Sequence, residues 1–365
     1  MLIVGASGVI GDAAVSHFLA STDHFVIGIS RRPHPLVDHP RYQHLAIDLT
    51  DSTACEAATA SLARVDHLIY TAVAEQPGLI TGWHDPQQMQ LNLTMLQNLL
   101  EPLAATAPLG HIALLQGAKA YGGHTGQQPP IPAREDAPRH PHDNFYWLQE
   151  DYLRAVADAR DIGWTIFRPQ VVIGAAAGVA MNPLLPLLAF AMLRCSEGLP
   201  LSYPGGVTPI QELTDAQLLA EAFEWAQSAP TARNEIFNIT NGDVFSWRSA
   251  WPTLARAVGM DMGDDEPVSL ADYLFEREHL WDPIVRRHHL QSLSLAEYLG
   301  ESHHYLDLLL RRDQAEPTVP HLLSSIKLRQ AGFNPCRDSE RSVLYWIDEM
   351  CRRRLFTRPE QVFSS

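Results

Sequence analysis

Lysine is nearly absent from this chain. Of its 27 basic residues only Lys119 and Lys327 are lysines, and the rest are arginines. Neither lysine has a tyrosine four residues before it, because positions 115 and 323 are Leu115 and Leu323. That absence removes the tyrosine–lysine pair that one helix face presents in ordinary ketoreductases and sugar-nucleotide epimerases. Surplus positive charge is missing too: the formal net charge is −15, which argues against a nucleic-acid partner. Cysteine is sparse. The four (Cys55, Cys195, Cys336 and Cys351) form no CxxC pair, so a zinc site or disulfide framework is not expected and a reducing compartment is.

No leader segment is read at the start, where Met1–Val4 already looks like a first strand, and a cytoplasmic location is expected. The one long apolar run, Ala175 to Leu193, is interrupted by Asn182, Pro183 and Pro186. These suit a buried helix beside an apolar pocket better than a bilayer span. Of the seventeen histidines, eight cluster as His34/His39, His140/His142, His288–His289 and His303–His304. They lack the spacing of a metal helix, so no metal is expected and they read as solvent-exposed.

What is present is a strand–helix alternation. Leu2–Val4, Phe25–Ile29, His44–Ile47, His67–Tyr70, Ile112–Leu115 and Trp164–Phe167 read as strands separated by crossover-length helices. This predicts an α/β fold with a Rossmann-type, doubly wound parallel sheet. Residues 1–170 are expected to form the dinucleotide-binding domain. Residues 171–365 are expected to form a smaller, mainly helical substrate lobe, with parts of about 207–243 returning to the first domain. The polar stretch from Gly122 to His142 reads as a loop bordering a site. Asp215–Trp225 reads as a helix capped by Thr214, Glu235–Asn238 as a returning strand, and Trp247, Trp251, Trp281 and Trp346 as core.

Gly5-Ala-Ser7-Gly8-Val9-Ile10-Gly11 follows a strand and opens a helix. Glycines there allow a tight turn and close approach to a pyrophosphate at the helix N-terminus. The second strand ends in Ser30-Arg31-Arg32, where an NAD-specific site usually carries an acidic residue for the ribose hydroxyls. Paired guanidiniums suit a phosphate instead, so the expected cofactor is NADP(H). Asp48 and Leu49 are the candidate adenine contacts, and Tyr70, Thr71 and Ala72 should run along the cofactor's middle. Lys119, just past the fifth strand in a chain that otherwise chooses arginine, suggests a titratable amine at the mouth of the sheet.

The chain resembles the progesterone 5β-reductase and iridoid synthase-like group of atypical extended short-chain dehydrogenases. The matching segments include Gly5–Gly11, Ser30–Pro33, Gly117–Tyr121, Asn144–Asp151, Phe167–Pro169, Asn234–Asn238, Asn241–Trp247, Ala331–Phe333 and Trp346–Asp348. The resemblance implies NADPH-dependent 1,4-reduction of activated alkenes such as small hydrophobic enones and enals. It carries the family's lysine onto Lys119, where preorganised donors meet the developing enolate oxygen. It also implies cofactor contacts at Gln116, Pro169, Val171 and Val172, and substrate contacts at Tyr121, Tyr146, Trp147 and Met181. The family's catalytic tyrosine falls on Trp147, one residue after Tyr146. One step along a helix turns a side chain by about 100°, and an indole donates a hydrogen bond but transfers no proton as a phenol can. Trp147, Tyr146, Tyr121 or Lys119 alone therefore stand as holders of the oxyanion. Asn92 matches a supporting asparagine of the wider fold. Alternatives are a carbonyl or imine reductase, or a protein that senses NADPH without turnover. The expected partner is a small hydrophobic substrate, with no nucleic acid and no membrane, and the chain is open to forming a homodimer.

Overall fold

The structure, a computed structural model, describes residues 1–62, 64–206, 210–312 and 319–358. It divides into two compact units. The first comprises Met1–Gln170, Ala216–Thr240 and His321–Cys336; the second holds the described residues of Val171–Asp215, Asn241–Pro320 and Arg337–Ser365.

In the first unit seven strands form one parallel sheet: β1 (Leu2–Val4), β2 (Val26–Ile29), β3 (Tyr42–Leu45), β4 (His67–Tyr70), β5 (His111–Leu115), β6 (Gly163–Pro169) and, numbered by chain order, β9 (Glu235–Ile239). Their order is β3-β2-β1-β4-β5-β6-β9. The order reverses between β1 and β4, and such a reversal opens a crevice beyond the strand carboxyl ends. The central strands β1, β2, β5 and β6 are almost wholly buried, which explains their near-continuous apolar runs. Helices α1 (Val9–Ser21), α2 (Ser52–Ala60), α3 (Pro86–Thr106) and α4 (Phe145–Arg160) connect the strands. Leu96, Leu99, Leu100 and Leu103 of α3 and Leu153 of α4 pack into the core with Leu68, Ile112 and Ile166 of the sheet.

The third strand lies two residues earlier than its apolar pattern suggests. Tyr42 pairs with Val26 and lies across Gly28, where an added Cβ would come within 2.1 Å of the phenol oxygen. A ring that fills the space over a glycine outweighs strand propensity in setting the register.

In the second unit β7 (Val171–Ile173) and β8 (Leu213–Asp215) make a two-stranded parallel sheet. Thr214 is therefore a strand residue rather than a helix cap, and α6 (Ala216–Ser228) begins after it, in the first unit. Helix α5 (Leu184–Ser196) is buried from Leu184 through Arg194. It is a core helix of its unit, and no helix among the described residues is long and apolar enough to cross a membrane. The tryptophans at 247, 251, 281 and 346 are buried, and each indole N–H has an acceptor within the unit: Gln211, Leu201, Leu293 and Asp215. The segment His321–Cys336, expected in the lobe, belongs to the first unit, where Leu323 bridges to Ala133. Conversely, 210–215 and 241–243 lie in the second unit, and only 216–240 returns to the sheet.

Candidate active site

The glycine loop has the shape its spacing requires. Gly5 takes φ +86°, and a Cβ there would lie 2.7 Å from Thr71 Oγ1 and 2.9 Å from the Ala72 nitrogen. A Cβ at Gly11 would lie 2.1 Å from the Gly5 carbonyl oxygen, so only glycine lets α1 approach the turn this closely. Gly8 caps α1 without a side-chain hydrogen bond, which leaves the first-turn amides directed at the loop mouth. This cradle fits the pyrophosphate of a dinucleotide. Beside it, Ser30 is fixed by hydrogen bonds to the Arg32 carbonyl (2.6 Å) and to His44 (3.2 Å). Arg31 and Arg32 are exposed past the end of β2. Burial, and then the charge of Arg31, depress the Arg32 guanidinium, and a phosphate beside the two would supply the opposite charge. Asp48 is held below the usual carboxylate range by the amide and hydroxyl of Thr50, with Arg31 adding to this. Leu49 is buried, its carbonyl accepting from Asn98 at 2.9 Å.

The expected contacts after β4 and β5 divide into two kinds. Thr71 and Ala72 line the glycine turn, but the Tyr70 ring is buried in the core and burial pushes its phenol far up. Gln116 is consumed structurally: its amide donates to the Tyr146 carbonyl (3.1 Å) and to Glu150 (3.2 Å), and its oxygen accepts from Arg168 (2.8 Å). Tyr121 is committed as well, donating to Asn238 at 2.6 Å and accepting from Arg168 at 3.3 Å. That network is closed by Glu150. Burial would raise its carboxyl, but the Arg139 hydrogen bond and the charges of Arg168, Arg139 and Arg154 hold it low. The side-chain polar atoms of Tyr121 and Gln116 thus stiffen the platform through Arg168, Glu150 and Asn238. Val171, Val172 and Met181 belong to the second unit, the two valines buried in β7 and Met181 partly buried before α5.

Lys119 sits in a single 3-10 turn, Ala118–Tyr121, immediately past β5. Its carbonyl accepts from Gly122 N–H (3.1 Å) and from Asn144 Nδ2 (3.2 Å). Asn144 also caps α4 by accepting the Tyr146 N–H at 3.0 Å, so one asparagine fixes both the lysine backbone and the helix that follows. The Lys119 ammonium lies 4.3 Å from the Trp83 ring centre and within 6 Å of the Phe145 and Tyr146 rings. Its counter-charge is Glu75, 3.4 Å away, with side chains 14% and 3% exposed respectively. Burial lowers the ammonium below its ordinary value, and Glu75 pulls it back up. Asn92 supports this arrangement through two hydrogen bonds to Ala74 (2.8 and 2.9 Å).

The geometry separates the two aromatics of α4. The Tyr146 ring lies beside Lys119, its centre 5.9 Å from the ammonium, and its hydroxyl lies 3.0 Å from where a Gly117 Cβ would stand. Trp147 faces Arg139, Arg168 and His142 instead. Its indole N–H is buried without a hydrogen-bond partner among the described residues. Sequence reasoning missed Glu75, Trp83 and the loop histidines. Their one signal was position, in segments that leave the carboxyl ends of β4 and β5. Of those histidines, His124 contacts Trp83, His84 and His142. It is pushed down to about 3, first by burial and then by the Lys119 charge and its neighbours.

Two histidines expected at the surface are buried. His34 is held by Asp12, and His303 packs edge-on against Phe275. In the second unit Glu301, His303 and His304 place donor atoms within 4.8 Å of one another. They sit at the first turn of the helix Ser302–Leu310, an end whose dipole disfavours a cation.

The NAD dependent epimerase/dehydratase family model matches residues 1–240. Among curated proteins the chain is similar to the (S)-8-oxocitronellyl enol synthase of Nepeta racemosa, at 31% identity over 96% of this chain and 91% of that protein. It is also similar to the 3-oxo-Delta(4,5)-steroid 5-beta-reductase of Arabidopsis thaliana, at 29% identity over 95% and 90%. Among solved structures it shares the fold of a Thermus thermophilus UDP-glucose 4-epimerase in complex with NAD, with a TM-score of 0.64, 18% identity and coverage of 96% and 98%.

Proposed function

The chain belongs to the NAD dependent epimerase/dehydratase family, and we propose that it is an NADPH-dependent oxidoreductase acting on the activated C=C bond of small hydrophobic enones and enals. The observation that carries this reading is the Lys119 ammonium, buried beside Trp83 and Tyr146 at the carboxyl end of β5. A cation placed there stabilises an oxygen that gains negative charge, which is what conjugate reduction generates at the carbonyl. The relatives named as an enol synthase and a steroid 5-beta-reductase support the same chemistry.

The nicotinamide cofactor supplies the hydride when it is bound. Gly5, Ser7, Gly8, Val9, Ile10 and Gly11 would hold its pyrophosphate, and Arg31 and Arg32, with Ser30, would read a ribose phosphate. Lys119 donates to the substrate carbonyl oxygen and holds the enolate as charge develops. Tyr146 is the phenol placed to assist and to supply a proton, while Phe145 and Trp83 keep water from the ammonium.

The test is NADPH oxidation with a panel of small enones and enals, with products identified by mass spectrometry and NMR. The expected product is the saturated carbonyl compound. Allylic alcohols as the products would overturn the alkene assignment in favour of carbonyl reduction. Turnover that persists unchanged in Lys119→Met would remove Lys119 from the mechanism.

A further inference from the structure

Glu75 carries a buried negative charge at the one place where the proposed chemistry needs positive charge. Its position is enforced. Gln88 of α3 donates to Glu75 Oε2 at 2.8 Å and accepts the Gln76 N–H at 2.8 Å. Asn92, one turn further along α3, ties the Ala74 N–H and carbonyl. The backbone is thus clamped on both sides of Glu75 by two buried side chains of one helix. Burying a carboxylate is costly unless its charge is compensated, and among the described residues its ion-pair partner is Lys119.

The ammonium has three N–H donors. One is directed at Glu75 Oε1 at 3.4 Å, and the cation rests over Trp83. Among the described residues, at least one donor is left for a ligand. We propose that Glu75 is a positioning residue for the reduction, keeping the proton on Lys119 and seating the ammonium over Trp83 so that its remaining N–H meets the substrate's carbonyl oxygen. The proposal rests on the reading of Lys119 as the oxyanion donor.

The groups facing Lys119 from the surrounding elements decide the sign of the effect. Glu75 comes from the loop after β4, Tyr146 from α4 and His124 from the turn 123–125, with His142, His140 and His84 behind His124. Burial and then the Lys119 charge push His124 down to about 3, so it adds no charge near neutrality. With Glu75 neutralised, burial acts unopposed and Lys119 loses its proton at lower pH. A reaction that needs the ammonium then fails earlier as pH rises.

The chain's two lysines make a direct measurement possible. The intact protein is labelled with acetic anhydride across a pH series, and Lys119 and Lys327 are quantified by peptide mass spectrometry. Lys327, which pairs with Glu235, serves as the internal reference. In Glu75→Gln the Lys119 midpoint should fall by about one pH unit or more while Lys327 stays fixed, and Glu75→Asp should recover most of the shift. The alkaline limb of kcat/KM for an accepted enone should move down by the same amount. Gln88→Met retains the acid but removes its clamp, and should give a smaller fall of the same sign if Glu75→Gln does not fold. An unmoved Lys119 midpoint overturns the role of Glu75. If Lys119→Met keeps full turnover, the oxyanion reading fails instead, whatever the labelling shows.

Discussion

His34 Nε2 lies 3.0 Å from Asp12 Oδ1, with both side chains almost fully buried. The Leu36 N–H donates to His34 Nδ1 at 3.1 Å, so the ring proton resides on Nε2 and is donated to the carboxylate. Asp12 lies in the first turn of α1, beside the glycine loop, and His34 follows Arg31 and Arg32 by a few residues. The pair therefore fastens the arginine loop to the helix that would carry the pyrophosphate. Replacing His34 by alanine should destabilise the fold by about 1–3 kcal/mol, the cost of leaving a buried charged acceptor short of a donor. Urea denaturation reads that loss. Because the arginine loop loosens, the NADPH dissociation constant should rise more than that for NADH.

Arg31→Ala with Arg32→Ala should weaken NADPH binding by about tenfold or more and leave NADH binding much less affected, since a bidentate guanidinium–phosphate contact is lost only from the phosphorylated cofactor. Fluorescence titration with each cofactor measures this. Equal losses for both would show that the arginines do not read the phosphate.

Tyr146→Phe should lower kcat by at least about tenfold, in keeping with the loss of a positioned proton donor. Trp147→Phe should cost stability more than turnover, because its indole stacks on Arg139 and Arg168. A steady-state comparison of the two variants settles which aromatic stands in for the family's tyrosine. A larger kcat loss in Trp147→Phe would reverse the assignment.

Buried histidines should make the fold acid-sensitive below neutrality. Burial pushes His111 down to about 4 and His124 down to about 3, against about 6.5 in an unfolded chain. Between those values the unfolded state binds more protons, so the contribution of these histidines is fully present above about pH 6.5 and is lost as pH falls toward 4 and then 3. His111→Asn, which keeps a polar partner for Thr165, should flatten the decline between pH 6.5 and 4. Urea unfolding of both proteins at a series of pH values provides the check, and parallel curves would contradict it.

Local rules carried the cofactor half of the molecule. A glycine spacing, a strand before it and a helix after it describe backbone geometry within one stretch of chain, so Gly5, Gly8 and Gly11 were legible with their reasons. The arginines past β2 were legible for the same cause, being a fixed number of strands from the loop. Lys119 stood out through the scarcity of lysine and its place just past the fifth strand. Its environment did not, because Glu75 and Trp83 come from the connection after β4 and Tyr146 from α4, segments that the sheet order brings beside the end of β5.

Tyr121 and Gln116 show the opposite limit. Their types suit a ligand site, but the buried guanidinium of Arg168 claims their polar atoms, and no spacing in the sequence announces that network. Sequence determined the strand pattern, the dinucleotide cradle and the single lysine at the mouth of the sheet, because periodicity and backbone freedom are properties of neighbouring residues. Tertiary structure alone decided that Tyr146 faces Lys119 and Trp147 turns away, and that Glu75 supplies the counter-charge. Those outcomes depend on burial and on partners distant in the chain, where the balance of desolvation and pairing is set.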